Sequence, residues 1–311
     1  MKVYTFKDNM ICEIPFEDVR VRDRCWIRCI NPTLGDLEKI SKLTRIPFDE
    51  FQESIEETER PRLSVSKYIE VIYMAPYPQG EEATLPIYFY IYNRVVITIE
   101  KERNSVLERI ESKLRQNKLK FLLRRGVGYF LYYIIDQIND EFLMIIDKIT
   151  DNLDIFKKKD VQFTEDTFEK MYDSSMVSAF FNQALRANLE VLNSLKKTYH
   201  RVFTEKDRNL FTELYFDATQ ILDTESIQRD MISSIFSLQS IIITNKLNNF
   251  IKKLTTLGLI ILVPAVISSI YGMNFKYLPF ANHPFGFYII LVLMFLITLV
   301  FYLFGKRMKW L

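Results

Sequence analysis

No phosphate-binding glycine loop, no GxSxG elbow and no paired histidine–carboxylate motif occurs in this chain. Eight glycines among 311 residues leave little material for a nucleotide cradle, so no nucleotide partner is expected. Histidine is scarcer still. His200 and His283 are the only two and lie far apart, which argues against a zinc enzyme site. The three cysteines, Cys12, Cys25 and Cys29, cannot form a paired framework, and a reducing compartment needs none. Cys25 and Cys29 alternate with Ile27, so on a strand all three face one side and read as buried thiols. A formal net charge of +2 is too near neutral to call for a nucleic-acid partner. An enzyme reading has no residues to carry it. Met1 to Phe16 alternates polar and apolar residues without the unbroken apolar run of a signal peptide, so the head is expected to stay in the cytoplasm.

What the chain does contain is two long uncharged runs near its C-terminus. Leu254 to Ile270 and Phe285 to Phe304 carry no charge, and each is near the ~20 residues that cross a hydrocarbon core of ~30 Å as a helix. The short segment between them allows only a tight crossing, so the pair reads as a two-span membrane hairpin on a large head. Lys246, Lys252 and Lys253 precede the first run, and Lys306, Arg307 and Lys309 follow the second. The connecting loop has only Lys276 and His283. The positive-inside bias then places both termini in the cytoplasm of a multi-pass protein of the cell membrane.

The remainder reads as an α+β head followed by long helices. The expected organisation is a mixed α/β domain over 1–125, antiparallel long helices over 126–203, a stalk helix over 204–253 and the hairpin over 254–311. Val3 to Phe6, Arg24 to Ile30, Ser64 to Tyr73 and Ile87 to Glu100 have strand composition, with Asn93-Arg94 turning the last into a hairpin. Thr33 to Leu43, capped by Thr33, and Phe48 to Glu57 are helix candidates. Glycine and proline almost vanish between Val127 and Leu257, and apolar residues recur at helical spacing over Tyr129 to Phe156 and Phe168 to Val202. Asp160 to Thr164, after Lys157-Lys158-Lys159, is the expected turn between these helices. A third helix opens at the capping box Thr204-Glu205-Lys206-Asp207 and meets no stop signal before Gly272. Such a helix has about seventy residues and is roughly 100 Å long at 1.5 Å per residue. It needs other helices, or copies of itself, to be stable.

Steps of seven along this helix give two adjacent rows. Asp223, Asp230, Ser237, Thr244, Ile251, Gly258, Ala265 and Gly272 form one, and Asn248, Thr255, Leu262 and Ser269 belong to the other. Inside the apolar run the combined face is small and weakly polar: Thr255, Gly258, Leu262, Ala265, Ser269 and Gly272. Small residues let membrane helices pack closely. The same face is also suited to line a pore built from several copies, and it continues down the stalk to the acids Asp223 and Asp230.

Tyr271-Gly272-Met273-Asn274, closing the first of two C-terminal spans, resembles the hallmark of the CorA-type magnesium transporters. Pro264, the run NNFIKKLT over Asn248 to Thr255, the basic tail, and the N-terminal WIRCINPT and ERPR stretches are also similar to that family. The resemblance implies a funnel-shaped homopentamer in the lipid bilayer, with five long helices around a pore for divalent cations. Mg²⁺ is then the transported and also the regulatory ion, moving passively along the membrane potential. By the same likeness Asn274 forms a ring of amide oxygens at the outer mouth, shaped by Gly272 and Met273, and Asn248 forms a second polar ring. Ile251, Leu254 and Leu262 are the implied hydrophobic gate. Mg²⁺ releases its water reluctantly, so a filter that accepts hydrogen bonds from the hydrated ion suits it.

The resemblance also implies a regulatory metal site where one head meets the next stalk, and Glu213 with Asp217 occupies the matching stalk position. Both read equally well as solvated helix charges. The partner region after ERPR departs from the family, with LSVSKY in place of acids; Glu56, Glu57 and Glu59 are the nearby substitutes. The outer loop departs too, with Lys276 and no carboxylate. Two rivals remain: a transporter of the same fold for Co²⁺, Ni²⁺ or Zn²⁺, and a membrane-anchored coiled-coil adaptor or sensor. Softer ions favour imidazole or thiolate ligands, which the stripe lacks.

Overall fold

The computed structural model describes residues 1–7, 9–56, 60–77, 83–154, 165–274, 276–280 and 282–307. It forms two compact units, Met1–Ser233 and Ser234–Leu311. The first is built on one mixed sheet of seven strands in the order β2-β1-β3-β7-β6-β5-β4. These are β1 (Lys2–Lys7), β2 (Met10–Ile14), β3 (Cys25–Ile30), β4 (Arg62–Val65), β5 (Ile69–Pro76), β6 (Thr84–Tyr92) and β7 (Val95–Glu100). Among the described residues only β3 and β7 pair in parallel, with Cys25 opposite Val95; the other pairs are antiparallel.

Strand alternation supplies a core on each face of the sheet. Val3, Cys25, Ile27, Cys29, Ile72, Tyr88 and Ile97 pack against α1 (Leu34–Thr44) and α2 (Phe48–Glu56). Tyr4, Trp26, Val71, Tyr73, Phe89 and Val96 face a helical layer. That layer comprises α3 (Ser105–Arg115), α4 (Phe121–Arg125), α5 (Val127–Asp154), α6 (Glu165–Leu195) and the start of α7 (Glu205–Tyr271). The two cysteines sit with Ile27 as their spacing predicts, and burial pushes both thiols up to about 12. They are protonated and unreactive at neutral pH.

A buried polar network joins the sheet to α3. The Arg28 guanidinium donates from Nε and Nη2 to the two oxygens of Glu100 (2.7 and 2.8 Å) and from Nη1 to Glu111 (2.6 Å). Glu111 also accepts from Lys2 and from the Tyr4 hydroxyl. Removing one partner of such a network leaves a buried charge uncompensated.

Both caps read from sequence are present. Thr33 exchanges hydrogen bonds with Asp36, and Thr204 does the same with Asp207. The hairpin at Asn93-Arg94 forms between β6 and β7, with Asn93 left-handed at φ 54°. The segment Ser64 to Tyr73 is not one strand. It breaks into β4 and β5 because both Ser66 N and Oγ donate to the Tyr68 carbonyl and close a turn. Strand β2 and helices α3 and α4 are additions to the sequence reading. Helix α6 ends at Leu195, short of Val202, where the amides of Lys197 and Thr198 close onto the carbonyls of Ser194 and Leu195. The chain then turns back so that Phe203 meets Phe211 edge-on. The expected turn Asp160 to Thr164 and the preceding lysine run lie outside the described residues. Helix α7 is continuous for 67 residues.

Candidate functional site

The second unit contains the C-terminal part of α7 and α8 (Gly286–Arg307), both long and apolar enough to cross a membrane. The two helices bury complementary stripes. On α7, Thr256 is 5% exposed, and Ile260, Val263, Pro264, Ile267 and Tyr271 are half-buried. On α8, Gly286 and Gly305 are buried, and Ile289, Ile290, Met294, Ile297 and Thr298 are half-buried. Thr256 satisfies its hydroxyl on the Lys252 carbonyl, which lets a polar residue sit in the apolar seam.

The small, weakly polar face is not part of that seam. Asn248, Ile251, Leu254, Thr255, Gly258, Leu262, Ala265, Ser269 and Gly272 are all exposed in the single chain. At 100° per residue their arc is centred roughly opposite the stripe led by Thr256. A methyl group added at Gly258 would meet nothing within 4 Å. Packing of the hairpin therefore does not account for this face.

The loop between the helices is held by its own backbone. Gly272 N closes onto the Ser268 carbonyl (2.9 Å) and Met273 N onto that of Ile270 (3.2 Å), ending α7. Asn274 follows, exposed, its amide making no hydrogen bond among the described residues. The Tyr271 hydroxyl donates to the Pro279 carbonyl. Phe280 is left-handed (φ 62°), and its carbonyl oxygen lies 2.0 Å from where a Cβ on Gly286 would stand, so only glycine fits there. His283 Nδ1 accepts from Phe285 N (3.2 Å), a structural role for one of the two histidines.

In the first unit, Glu213 and Asp217 are exposed on α7 and face acids on α5. Burial first, then the charges of Asp140 and Asp217, hold the Asp136 carboxyl above its usual range. Burial, then Asp136 and Glu213, pushes the Tyr132 phenol up to about 12. Among the described residues no three acidic, cysteine or histidine side chains converge to hold a metal ion. Asp223 and Asp230 are exposed. Glu57 and Glu59 lie outside the described residues, as does the side chain of Glu56.

One acid that sequence reasoning passed over is Glu225, fully buried between α7 and α6. Its carboxylate accepts from Ser178 Oγ (2.6 Å) and from Asn182 Nδ2, while Arg186 Nε donates to Asn182 Oδ1 (2.8 Å). The available signal was its place on the apolar row Ala218, Ile221, Glu225, Gln228, Ile232, the core face of the helix.

A three-layer head, an uninterrupted 67-residue helix and two C-terminal helices long and apolar enough to cross a membrane are the architecture of a two-span membrane protein. Residues 22–307 match the family described as CorA-like Mg2+ transporter protein, and the chain belongs to that family. It is 31% identical to the cobalt/magnesium transport protein CorA of Methanocaldococcus jannaschii over 96% of this chain and 94% of that protein. Similarity to the corresponding Thermotoga maritima protein is 25% identity over 70% of this chain and 62% of the relative. The complete structure of the CorA magnesium transporter from M. jannaschii superposes with a TM-score of 0.89 at 28% identity, covering 100% of this chain and 98% of that one.

Proposed function

We propose that the protein is a passive Mg²⁺ uptake channel of the cytoplasmic membrane, active as a homopentamer with both termini in the cytoplasm. The observation that carries the reading is the division of α7 into opposite faces, one in the seam with α8 and one small, polar and uncovered, running up to Asn274. Five such faces around an axis give a lining of Thr255, Gly258, Leu262, Ala265 and Ser269. Gly272 and Met273 turn the chain so that Asn274 presents an amide ring at the outer mouth, and Asn248 gives a second ring. The free amide of Asn274 suits a filter that accepts hydrogen bonds from hydrated Mg²⁺ and binds it weakly enough for exit. Ile251, Leu254 and Leu262 supply an apolar constriction that closes by dewetting. The outer loop has no carboxylate, so the inward pull rests on the membrane potential, worth ~2.3 kcal/mol per charge per 100 mV and twice that for a divalent ion.

Cytoplasmic Mg²⁺ closes the channel by binding at Glu213 and Asp217, with ligands completed by a neighbouring copy. The like charges of Asp140 and Asp217, which add to burial in raising the Asp136 carboxyl, support this, because a cation nearby relieves that repulsion. Asp223 and Asp230 keep the cytoplasmic funnel attractive to cations. Co²⁺ is the second ion: the M. jannaschii relative is named for cobalt and magnesium, and a filter for hydrated ions separates the two poorly.

The test is Mg²⁺ influx into proteoliposomes under an inside-negative potential, wild type against Asn274→Ala. The expected result is influx that the substitution eliminates with assembly intact. Equal influx in both would remove the filter assignment. Absence of influx from assembled wild type at low internal Mg²⁺ would favour the adaptor reading, unless Co²⁺, Ni²⁺ or Zn²⁺ enters instead.

A further inference from the structure

Outside the ion pathway, four arginines ring a cavity of about 560 Å³ at one end of the sheet. Arg22 and Arg24 come from the segment before β3, Arg94 from the β6–β7 turn, and Arg201 from the turn between α6 and α7. Gly126 and Val127, where α5 begins, complete the wall. The parallel β3–β7 pair produces this convergence. Because Cys25 lies opposite Val95, with Cys25 N bonded to the Arg94 carbonyl, Arg24 and Arg94 enter the sheet side by side.

Two of the four arginines are held by neutral oxygens. Arg24 Nη1 donates to the Arg124 carbonyl, and Arg201 Nη2 donates to Asn93 Oδ1 (3.2 Å). Among the described residues none of the four forms an ion pair with a carboxylate. Asp18 and Asp23 line an adjoining cavity together with Lys7, Arg20, Arg22, Arg24 and Arg94, so that lining too is net positive. Asp207 packs against Gly128, with Oδ2 taken by the amide and hydroxyl of Thr204. The first-turn amides of α5, a 28-residue helix, have no intrahelical acceptor and add positive potential at the same wall.

We propose that this cavity binds a small phosphate-bearing anion of diphosphate size or larger. Guanidinium forks match phosphate oxygens in pairs, and four arginines without a carboxylate ion pair among the described residues call for more than one phosphoryl group. The volume lies in the ~300–1,000 Å³ range of small-molecule sites. The scarcity of glycine excludes a glycine-loop cradle, and this cavity uses none. The anion is soluble and comes from the side of the membrane occupied by the head.

The experiment is calorimetric titration of the full-length protein in detergent, in Mg²⁺-free buffer, with pyrophosphate, inorganic phosphate and adenosine triphosphate. Saturable binding of pyrophosphate is expected, at least tenfold tighter than inorganic phosphate and weakening as salt rises. Arg94→Ala and, separately, Arg22→Ala should each weaken it at least tenfold without changing the unliganded melting temperature. Arg45→Ala, in the loop after α1, should leave it unchanged. Adenosine triphosphate tighter than pyrophosphate would identify a nucleotide as the occupant; equal affinity would identify the phosphate chain alone. No saturable binding of either, or binding indifferent to both cavity substitutions, overturns the proposal.

Discussion

The hydroxyl of Tyr271 donates to the carbonyl oxygen of Pro279 at 3.2 Å, tying the last residue of α7 to the far side of the loop that carries Asn274. An exposed bond of this kind contributes about 0.5–1.5 kcal/mol, enough to bias a loop but not the fold. Tyr271→Phe should leave assembly and melting temperature unchanged while raising the external Mg²⁺ needed for half-maximal influx several-fold. Unaltered concentration dependence would show that the loop holds Asn274 without this bond.

Two glycines separate loop packing from the pore. A Cβ at Gly286 collides with the Phe280 carbonyl, so Gly286→Ala should reshape the loop, lower stability by about 1–3 kcal/mol and reduce influx. A Cβ at Gly258 meets nothing in its own chain. Gly258→Ala should keep the melting temperature and still reduce influx, because the methyl narrows the assembled lining. Wild-type influx from it would place Gly258 away from the axis.

Regulation is read by flux at two internal Mg²⁺ concentrations. The double substitution Glu213→Ala, Asp217→Ala should raise influx severalfold at high internal Mg²⁺ and change it little at low internal Mg²⁺. An equal effect at both concentrations would make these residues general modulators rather than sensors.

Glu225 is the buried acid whose loss is costly. Glu225→Leu strands the donors of Ser178 and Asn182, at about 1–3 kcal/mol. The melting temperature of the detergent-solubilised protein should fall by several degrees. Replacing all three residues with apolar ones of similar volume should recover most of that loss, and failure to recover would assign Glu225 a role beyond packing.

Acid sensitivity follows from Glu111. Burial pushes this carboxyl up, but hydrogen bonds from Lys2, Tyr4 and Arg28 outweigh it and hold it below its usual 4.5. A lowered folded-state value means the stabilisation is complete above the unfolded value and is lost as pH falls through the folded one. Stability followed through Trp26, fully buried on β3, should therefore decline as pH drops below about 4.5. Glu111→Gln should be less stable at neutral pH and lack this limb of the decline.

Much of this protein was legible in order along the chain because the signals are local. Capping boxes at Thr33 and Thr204, apolar spacing, uncharged runs and the Asn93 turn each depend on neighbours a few residues away. The sequence alone therefore determined α1, α2 and the long helices α5 to α8, with the small face of α7, while α3 and α4 went unread. Its blind spots were equally local in cause: Ser66 diverts a strand through a side-chain hydrogen bond, and the α6 end is set by the return of Phe203 onto Phe211. Tertiary structure alone decided which face of α7 meets α8, since both faces are apolar enough to pack. It alone placed Glu225 between Ser178 and Asn182, and brought Arg22, Arg24, Arg94 and Arg201 from three separate segments to one cavity. Those relationships join residues up to 179 positions apart, from Arg22 to Arg201. No local pattern records them, because only the parallel pairing of β3 with β7 and the packing of helices on the sheet bring such segments together.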